Sequence, residues 1–140
     1  MSPQFKGKVI IITGAASGIG RATAVKLSYQ GATLALCDIN RPGLDETTKL
    51  CAGGHNYLAT VDVGSTEQVN NFIEAVIAEL HGIHHIFNCA GVNPTSYPLE
   101  TTTDEYWDKL VNTNLKGTYN VTRACIPHLK EGVVQIDCWE

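Results

Sequence analysis

The stretch Lys8-Val9-Ile10-Ile11-Ile12-Thr13-Gly14-Ala15-Ala16-Ser17-Gly18-Ile19-Gly20 decides the fold. Its first half is an apolar, β-branched run with no polar alternate position, the pattern of a strand buried on both faces. Three glycines then shape a turn, and a segment of helical character runs on to about Gly31. Glycines let such a turn close and let its backbone approach a pyrophosphate, while a helix N-terminus offers free N–H groups and a positive dipole end. Strand, glycine-rich turn and helix in that order predict a dinucleotide site. A P-loop is excluded, because Gly20-Arg21-Ala22 stands where Gly-Lys-Ser/Thr is required.

Outward from this stretch, the short apolar pattern returns at Thr33 to Asp38, Tyr57 to Asp62, Ile83 to Asn88 and Val133 to Ile136. Longer segments of helical period separate the runs. That alternation predicts an α/β fold, a Rossmann-type doubly wound parallel sheet with flanking helices. The clearest helix is Thr66 to Leu80, where Val69, Phe72, Ile73, Val76, Ile77 and Leu80 share one face and Ser65 with Gln68 forms a capping box. A second long helix is expected to begin after Thr102, paired with Glu105 in the same sense, with an inner stripe of Trp107, Leu110, Val111, Leu115 and Thr118. Asn114 lies seven residues after Trp107, so its amide is expected to face that apolar side and to find hydrogen-bond partners there. Asp38 ends the second run eighteen residues after Gly20. A carboxylate at that distance accepts hydrogen bonds from the ribose hydroxyls of NAD and repels a 2′-phosphate.

Composition narrows the partners. With 140 residues and 44% hydrophobic content, the chain reads as one domain over residues 1–140 that needs neither metal nor disulfide to hold a core. A net charge of −4, without a basic run, argues against nucleic acid and against an anionic membrane surface. No stretch approaches the ~20 apolar residues of a spanning helix and the opening lacks a signal-peptide layout, so the expected address is cytoplasmic and the expected partners are small molecules. Five cysteines (Cys37, Cys51, Cys89, Cys125 and Cys138) without a Cys-x-x-Cys pair are read as reduced thiols. His81, His84 and His85 enter a strand, where alternate side chains diverge, so no metal site is expected.

Four motifs in order carry a family resemblance: Thr-Gly-x-x-x-Gly-x-Gly over Thr13 to Gly20, Asp62-Val63 after the third run, Asn88-Cys89-Ala90-Gly91 after the fourth, and Asn114-Leu115-Lys116-Gly117 in the long helix. Together they resemble the short-chain dehydrogenase/reductase family, from Lys6 to about Ile136. The resemblance implies an NAD(P)-dependent oxidoreductase that interconverts an alcohol and a carbonyl, with a dinucleotide and an unidentified small alcohol or carbonyl as partners. It implies that Gly14, Ser17, Gly18, Ile19 and Gly20 line the diphosphate, Asp38 the adenine-side ribose, and Asp62 with Val63 the adenine. Asn88, Ala90 and Gly91 would lie along the cofactor, and Asn114 would join the catalytic machinery by helping to hold a proton-relay water. NAD is expected over NADP, because neither arginine nor lysine stands at Ala16, Ser17 or Ile39; Arg41 is the base that follows nearest. Two positions depart from the family pattern. Cys89 stands for a second asparagine, and His84 stands where aspartate is usual.

The family's fifth-strand serine and later Tyr-x-x-x-Lys are not among these 140 residues; Asp137-Cys138-Trp139-Glu140 follows the fifth run, with Cys138 at the serine position. The expectation is therefore the cofactor-binding part of the fold, truncated after the fifth strand, with any oligomer weakened. The alternative is a catalytically inactive module that binds a dinucleotide or a protein partner. Tyr119 and Arg123 share helical spacing, but arginine stays protonated, so the pair is read as a helix-surface contact rather than as catalytic.

Overall fold

Side chains alternate along a strand, so the run Val9–Thr13 (β1) needs apolar cover on both faces. In the computed structural model, which describes residues 3–93, 96–130 and 135–137, it receives that cover. Ile10 and Ile12 face one core together with Leu34, Leu36, Ala24 and Leu44. Val9 and Ile11 face a second core with Ala35, Cys37 and Ile86. Ile11 and Ile12 are fully buried, each worth roughly 1.5–3 kcal/mol of apolar burial.

Helices Gly18–Tyr29 (α1) and Arg41–Leu50 (α2) supply Ala24 and Leu44 to the first core. Thr66–Leu80 (α3) brings Val69, Phe72, Ile73 and Val76 to the second core, where Gly117–Cys125 (α5) adds Val121 and Cys125. Strands Thr33–Asp38 (β2), Tyr57–Thr60 (β3), His85–Asn88 (β4) and Gln135–Asp137 (β5) pair parallel with β1 and with one another in the order β3-β2-β1-β4-β5. The expected doubly wound sheet is present among the described residues. Its order reverses between β1 and β4, where a crevice opens at the strand ends.

Bounds agree where the signal is local: β2 and α3 fall as the pattern predicts. The third strand stops at Thr60 instead of Asp62, and the fourth starts at His85 instead of Ile83. The predicted Val133 and Val134, and the assignment of Cys138 to the serine position, lie outside the described residues.

The long helix departs most from expectation. It begins at Asp104 (α4, Asp104–Leu110), capped by Thr103, whose hydroxyl accepts from Tyr106 N at 3.2 Å; Thr102 instead donates to Leu99 O at 2.7 Å. A π-helical segment, Val111–Lys116, then separates α4 from α5. Its wider turn rotates everything downstream relative to a 3.6-residue period. The expected inner stripe does not form, with Trp107 66% and Leu115 56% exposed, and the buried face of α5 is Gly117, Asn120, Val121 and Cys125. The Ser65 cap forms, with Gln68 N donating at 3.3 Å, but Gln68 Oε1 reaches back to Asp62 N at 2.8 Å instead of completing a box.

His84 shows how the aspartate position is served by another residue type. Its Nδ1 accepts from Val9 N at 3.0 Å while the His84 backbone N–H donates to Val9 O at 2.9 Å, so it ties the start of β1 to the approach to β4. Only neutral imidazole can accept there. Partial burial, followed by Lys8, Lys130 and His85, pulls its pKa below the ordinary value of 6.5. The unfolded chain thus takes up this proton at a higher pH than the folded one, and stability present above about pH 6.5 is lost as pH falls through the lower folded value. His84→Asn keeps an acceptor that does not titrate. Urea unfolding at pH steps from about 7 to 5 is expected to show a shallower loss of stability for this variant than for wild type; equal slopes would clear His84 of the role.

Candidate active site and nucleotide cleft

The crevice at the strand reversal is a cleft of about 640 Å³ whose walls include Gly14, Ser17, Gly18, Asp38, Asp62 and Gly91. Two close approaches of backbone shape it. A Cβ on Gly14, which sits at φ +65°, would lie 2.8 Å from Ala90 N, and one on Gly20 would lie 2.2 Å from Gly14 O. Real Cβ atoms do not come so near, so only glycine lets the turn fold under α1 and against the β4 exit. At Gly18 a Cβ would meet nothing within 4 Å, but its φ of +52° is left-handed and still favours glycine, and its exposed backbone borders the cleft.

Ser17 is the N-cap of α1 and makes no side-chain cap bond, whereas Asn40, Ser65 and Thr103 each accept from their helix's backbone. The positive end of α1 is thus open toward the cleft beside Gly18 and Ile19. At the end of β2 the Asp38 carboxylate is oriented by two amides, Oδ2 accepting from Ala16 N and Oδ1 from Asn40 N, both at 3.0 Å. Each oxygen keeps acceptor capacity for a hydroxyl. The neighbouring bases are engaged elsewhere: Arg41 pairs with Asp45 and Arg21 with Glu46, each at 3.0 Å. A dinucleotide's adenosine and diphosphate fit this donor and acceptor set.

Of the two residues expected at the adenine, Asp62 is exposed and its Oδ1 accepts from Gly64 N at 2.8 Å, while Val63 is buried against Gly117, which has no side chain to obstruct it. Asn88 is buried and donates to Thr122 Oγ1 at 3.2 Å; Ala90 and Gly91 line the cleft. Asn114 stands in the π-helical segment and grips the chain beyond β4, accepting from Val92 N at 2.8 Å and donating to Val92 O at 2.9 Å. The expected partners are there, although the stripe that suggested them is not. Tyr119 and Arg123 meet on the exposed side of α5, with a 2.7 Å bond from Arg123 Nη1 to the phenol oxygen.

Sequence reasoning left several residues out. The hydroxyl of Thr13 accepts from both Cys89 N and Ala90 N at 3.0 Å, which locks the end of β1 to the β4 exit. Asn120, 3% exposed, donates to Val63 O at 2.9 Å and is met by Thr66 Oγ1 at 3.3 Å, clamping α5 to the loop that carries Asp62. Its polar type on a face otherwise made of Gly117, Val121 and Cys125 was the available signal. Lys109, Asn112 and Thr113 form the remaining wall, and Asn112 covers Gly64 so closely that a Cβ there would strike its amide. Among the described residues Cys37, Cys51 and Cys125 are free thiols; burial pushes the Cys125 thiol up to about 12 and burial, helped by Asp38, also raises Cys37.

The family model for short chain dehydrogenases matches residues 8–135. The chain is 35% identical over 128 residues to the 3-oxoacyl-[acyl-carrier-protein] reductase of Thermotoga maritima, covering 90% of this chain and 52% of that one. The crystal structure of levodione reductase superposes with a TM-score of 0.88 at 31% identity, over 94% of this chain and 54% of that one. An NAD⁺-bound xylitol dehydrogenase superposes with a TM-score of 0.85 at 29% identity, over 89% and 49%. The chain therefore spans about half the length of the relatives it matches.

Asn114→Ala is expected to cost about 2 kcal/mol, because it strands both polar groups of a half-buried Val92. Trp107→Ala, a larger truncation on an exposed face, is expected to stay within about 0.5 kcal/mol. Urea unfolding of the two variants checks the assigned faces, and a reversed order would restore the continuous α-helical phase.

Proposed function

The chain belongs to the short-chain dehydrogenase family, and from that premise we propose that it forms the nucleotide-binding part of an NAD-dependent oxidoreductase acting between an alcohol and a carbonyl. One observation carries this reading. The open N-terminus of α1 and the doubly anchored Asp38 carboxylate border a single cleft, one suited to a diphosphate and the other to a ribose diol. The relative solved with NAD⁺ bound supports it.

In this proposal Gly14, Ser17, Gly18, Ile19 and Gly20 hold the diphosphate, and Asp38 takes the ribose hydroxyls. Asp62 and Val63 border the adenine, and Asn88, Ala90 and Gly91 follow the cofactor along the β4 exit. The dinucleotide supplies hydride transfer when bound. Asn114 fixes the β4 exit through Val92 and so shapes the floor on which the reacting end would lie. NAD is preferred to NADP, since the acids Asp38 and Asp62 line the cleft and Arg21 and Arg41 are both in ion pairs. The free thiols of Cys37, Cys51 and Cys125 support a reducing compartment, the cytoplasm. Residues 1–140 form one Rossmann-type domain in this reading.

Asp38→Ala is expected to narrow the difference in binding free energy between NADH and NADPH by about 1–3 kcal/mol, as for a lost charged hydrogen bond. Fluorescence titration of both cofactors measures it, and an unchanged gap would remove Asp38 from cofactor choice. The 140-residue polypeptide is expected to show no NAD-linked turnover of alcohols or ketones. It contains no Tyr-x-x-x-Lys pair, and proton transfer by such a pair is worth roughly 10² to 10⁴ in rate. Absorbance of NADH at high protein concentration checks this; turnover abolished by Tyr119→Phe would instead make Tyr119 and Arg123 the proton-transfer pair.

A further inference from the structure

Arg21 lies on α1 just beyond the glycine turn and is not among the residues that line the cleft. Its guanidinium, half-buried, nevertheless gathers groups from two segments, the turn and α2. Nη2 donates to Ala16 O in the turn, to Gly43 O at 3.3 Å and to Glu46 at 3.0 Å, while Nε donates to Thr47 Oγ1 at 3.0 Å. Thr47 Oγ1 donates on to Ala15 O at 2.7 Å. Arginine alone among the side chains has a rigid fork that can hold so many acceptors in one plane.

These bonds close a ring that passes through Asp38. Ala16 N donates to Asp38 Oδ2, Asn40 N donates to Asp38 Oδ1, and Asn40 Oδ1 accepts from Gly43 N at 3.1 Å. Gly43 O and Ala16 O then both receive Arg21 Nη2. The start of α2 packs directly on the turn, since a Cβ on Gly43 would fall 2.8 Å from Ala16 O. The two amides that aim the Asp38 carboxylate therefore belong to two segments, and Arg21 is the cation that fastens those segments together.

We propose that Arg21 is a positioning residue for cofactor choice: by closing this ring it holds the Asp38 carboxylate turned toward the ribose, so that a 2′-phosphate meets a fixed negative charge. This rests on the dinucleotide reading above. With the ring open, Asn40 and α2 shift relative to Ala16, the carboxylate loses its second amide, and it rotates aside to admit the phosphate. The sign of the effect separates this role from simple electrostatics. Loss of a nearby cation by itself weakens binding of the more negative ligand and widens discrimination, whereas loss of the ring narrows it.

The test uses the 140-residue chain with ADP-ribose and its 2′-phosphorylated form, which need only the adenosine and diphosphate side. Calorimetry gives the ratio of the two affinities for wild type, Arg21→Met and Arg21→Lys, and hydrogen exchange reports protection of the Ala16 and Asn40 amides. Arg21→Met is expected to lower the preference for ADP-ribose about three- to tenfold and to speed exchange at both amides, since a charge-assisted hydrogen bond is lost. Arg21→Lys, a point donor without the fork, is expected to fall between the two, and it serves alone should the methionine variant not fold. An unchanged or larger ratio in either variant, with wild type binding normally, overturns the role of Arg21 alone. Failure of wild type to bind ADP-ribose overturns the dinucleotide reading and this proposal with it.

Discussion

The turn after β1 passes so close to its surroundings that two of its residues have no room for a side chain: Gly20 against the carbonyl of Gly14, and Gly14 against the backbone of Ala90. From these contacts the rest of the site takes its position. They set α1 directly over the strand reversal, so that its N-terminal amides open into the crevice instead of into solvent. They also bring Ala90 within reach of the Thr13 hydroxyl, which receives two amides of the β4 exit and stops that exit from drifting away from β1. A methyl group at either glycine would force the turn off the sheet, and with it the edge that lines the cleft.

Around that fixed point the structure uses side-chain amides and hydroxyls as braces between segments. Asn114 holds Val92 from the π-helical segment, Asn120 holds Val63 from α5, and Asn40 and Asp38 hold the start of α2 to the turn. Each brace joins a helix to a loop at the C-terminal ends of the strands, the edge where parallel sheets place their ligands. Loops that would otherwise be mobile are thereby tied to rigid elements. His84 performs a similar task at the other end of β1, with the difference that its acceptor is titratable.

The π-helical segment between α4 and α5 follows the same economy of position. It points Asn114 at the β4 exit while leaving α5 free to bury Val121 and Cys125 against the sheet. The outcome on the opposite side is an exposed series that includes Trp107, Leu115, Tyr119 and Ile126.

What the amino-acid sequence determined by itself was whatever depends on near neighbours. The apolar run of β1, the helical period of α3, the glycine spacing and the carboxylate at the end of β2 are local patterns, and local patterns survive into the fold because strands and helices are built from residues a few positions apart. The doubly wound sheet and most of the cleft were legible on that basis. The tertiary structure alone decided the partners of Thr13, which lie 76 and 77 residues away, the clamp from Asn120 to Val63, 57 residues away, and the ring that Arg21 closes around Asp38. It also decided the phase of the long helix, where a search for a 3.6-residue period placed Trp107 and Leu115 inward. Hydrogen bonds between distant segments, and a one-turn change of helix type made to satisfy them, leave no periodic mark in the chain; they exist only once the sheet has brought those segments together.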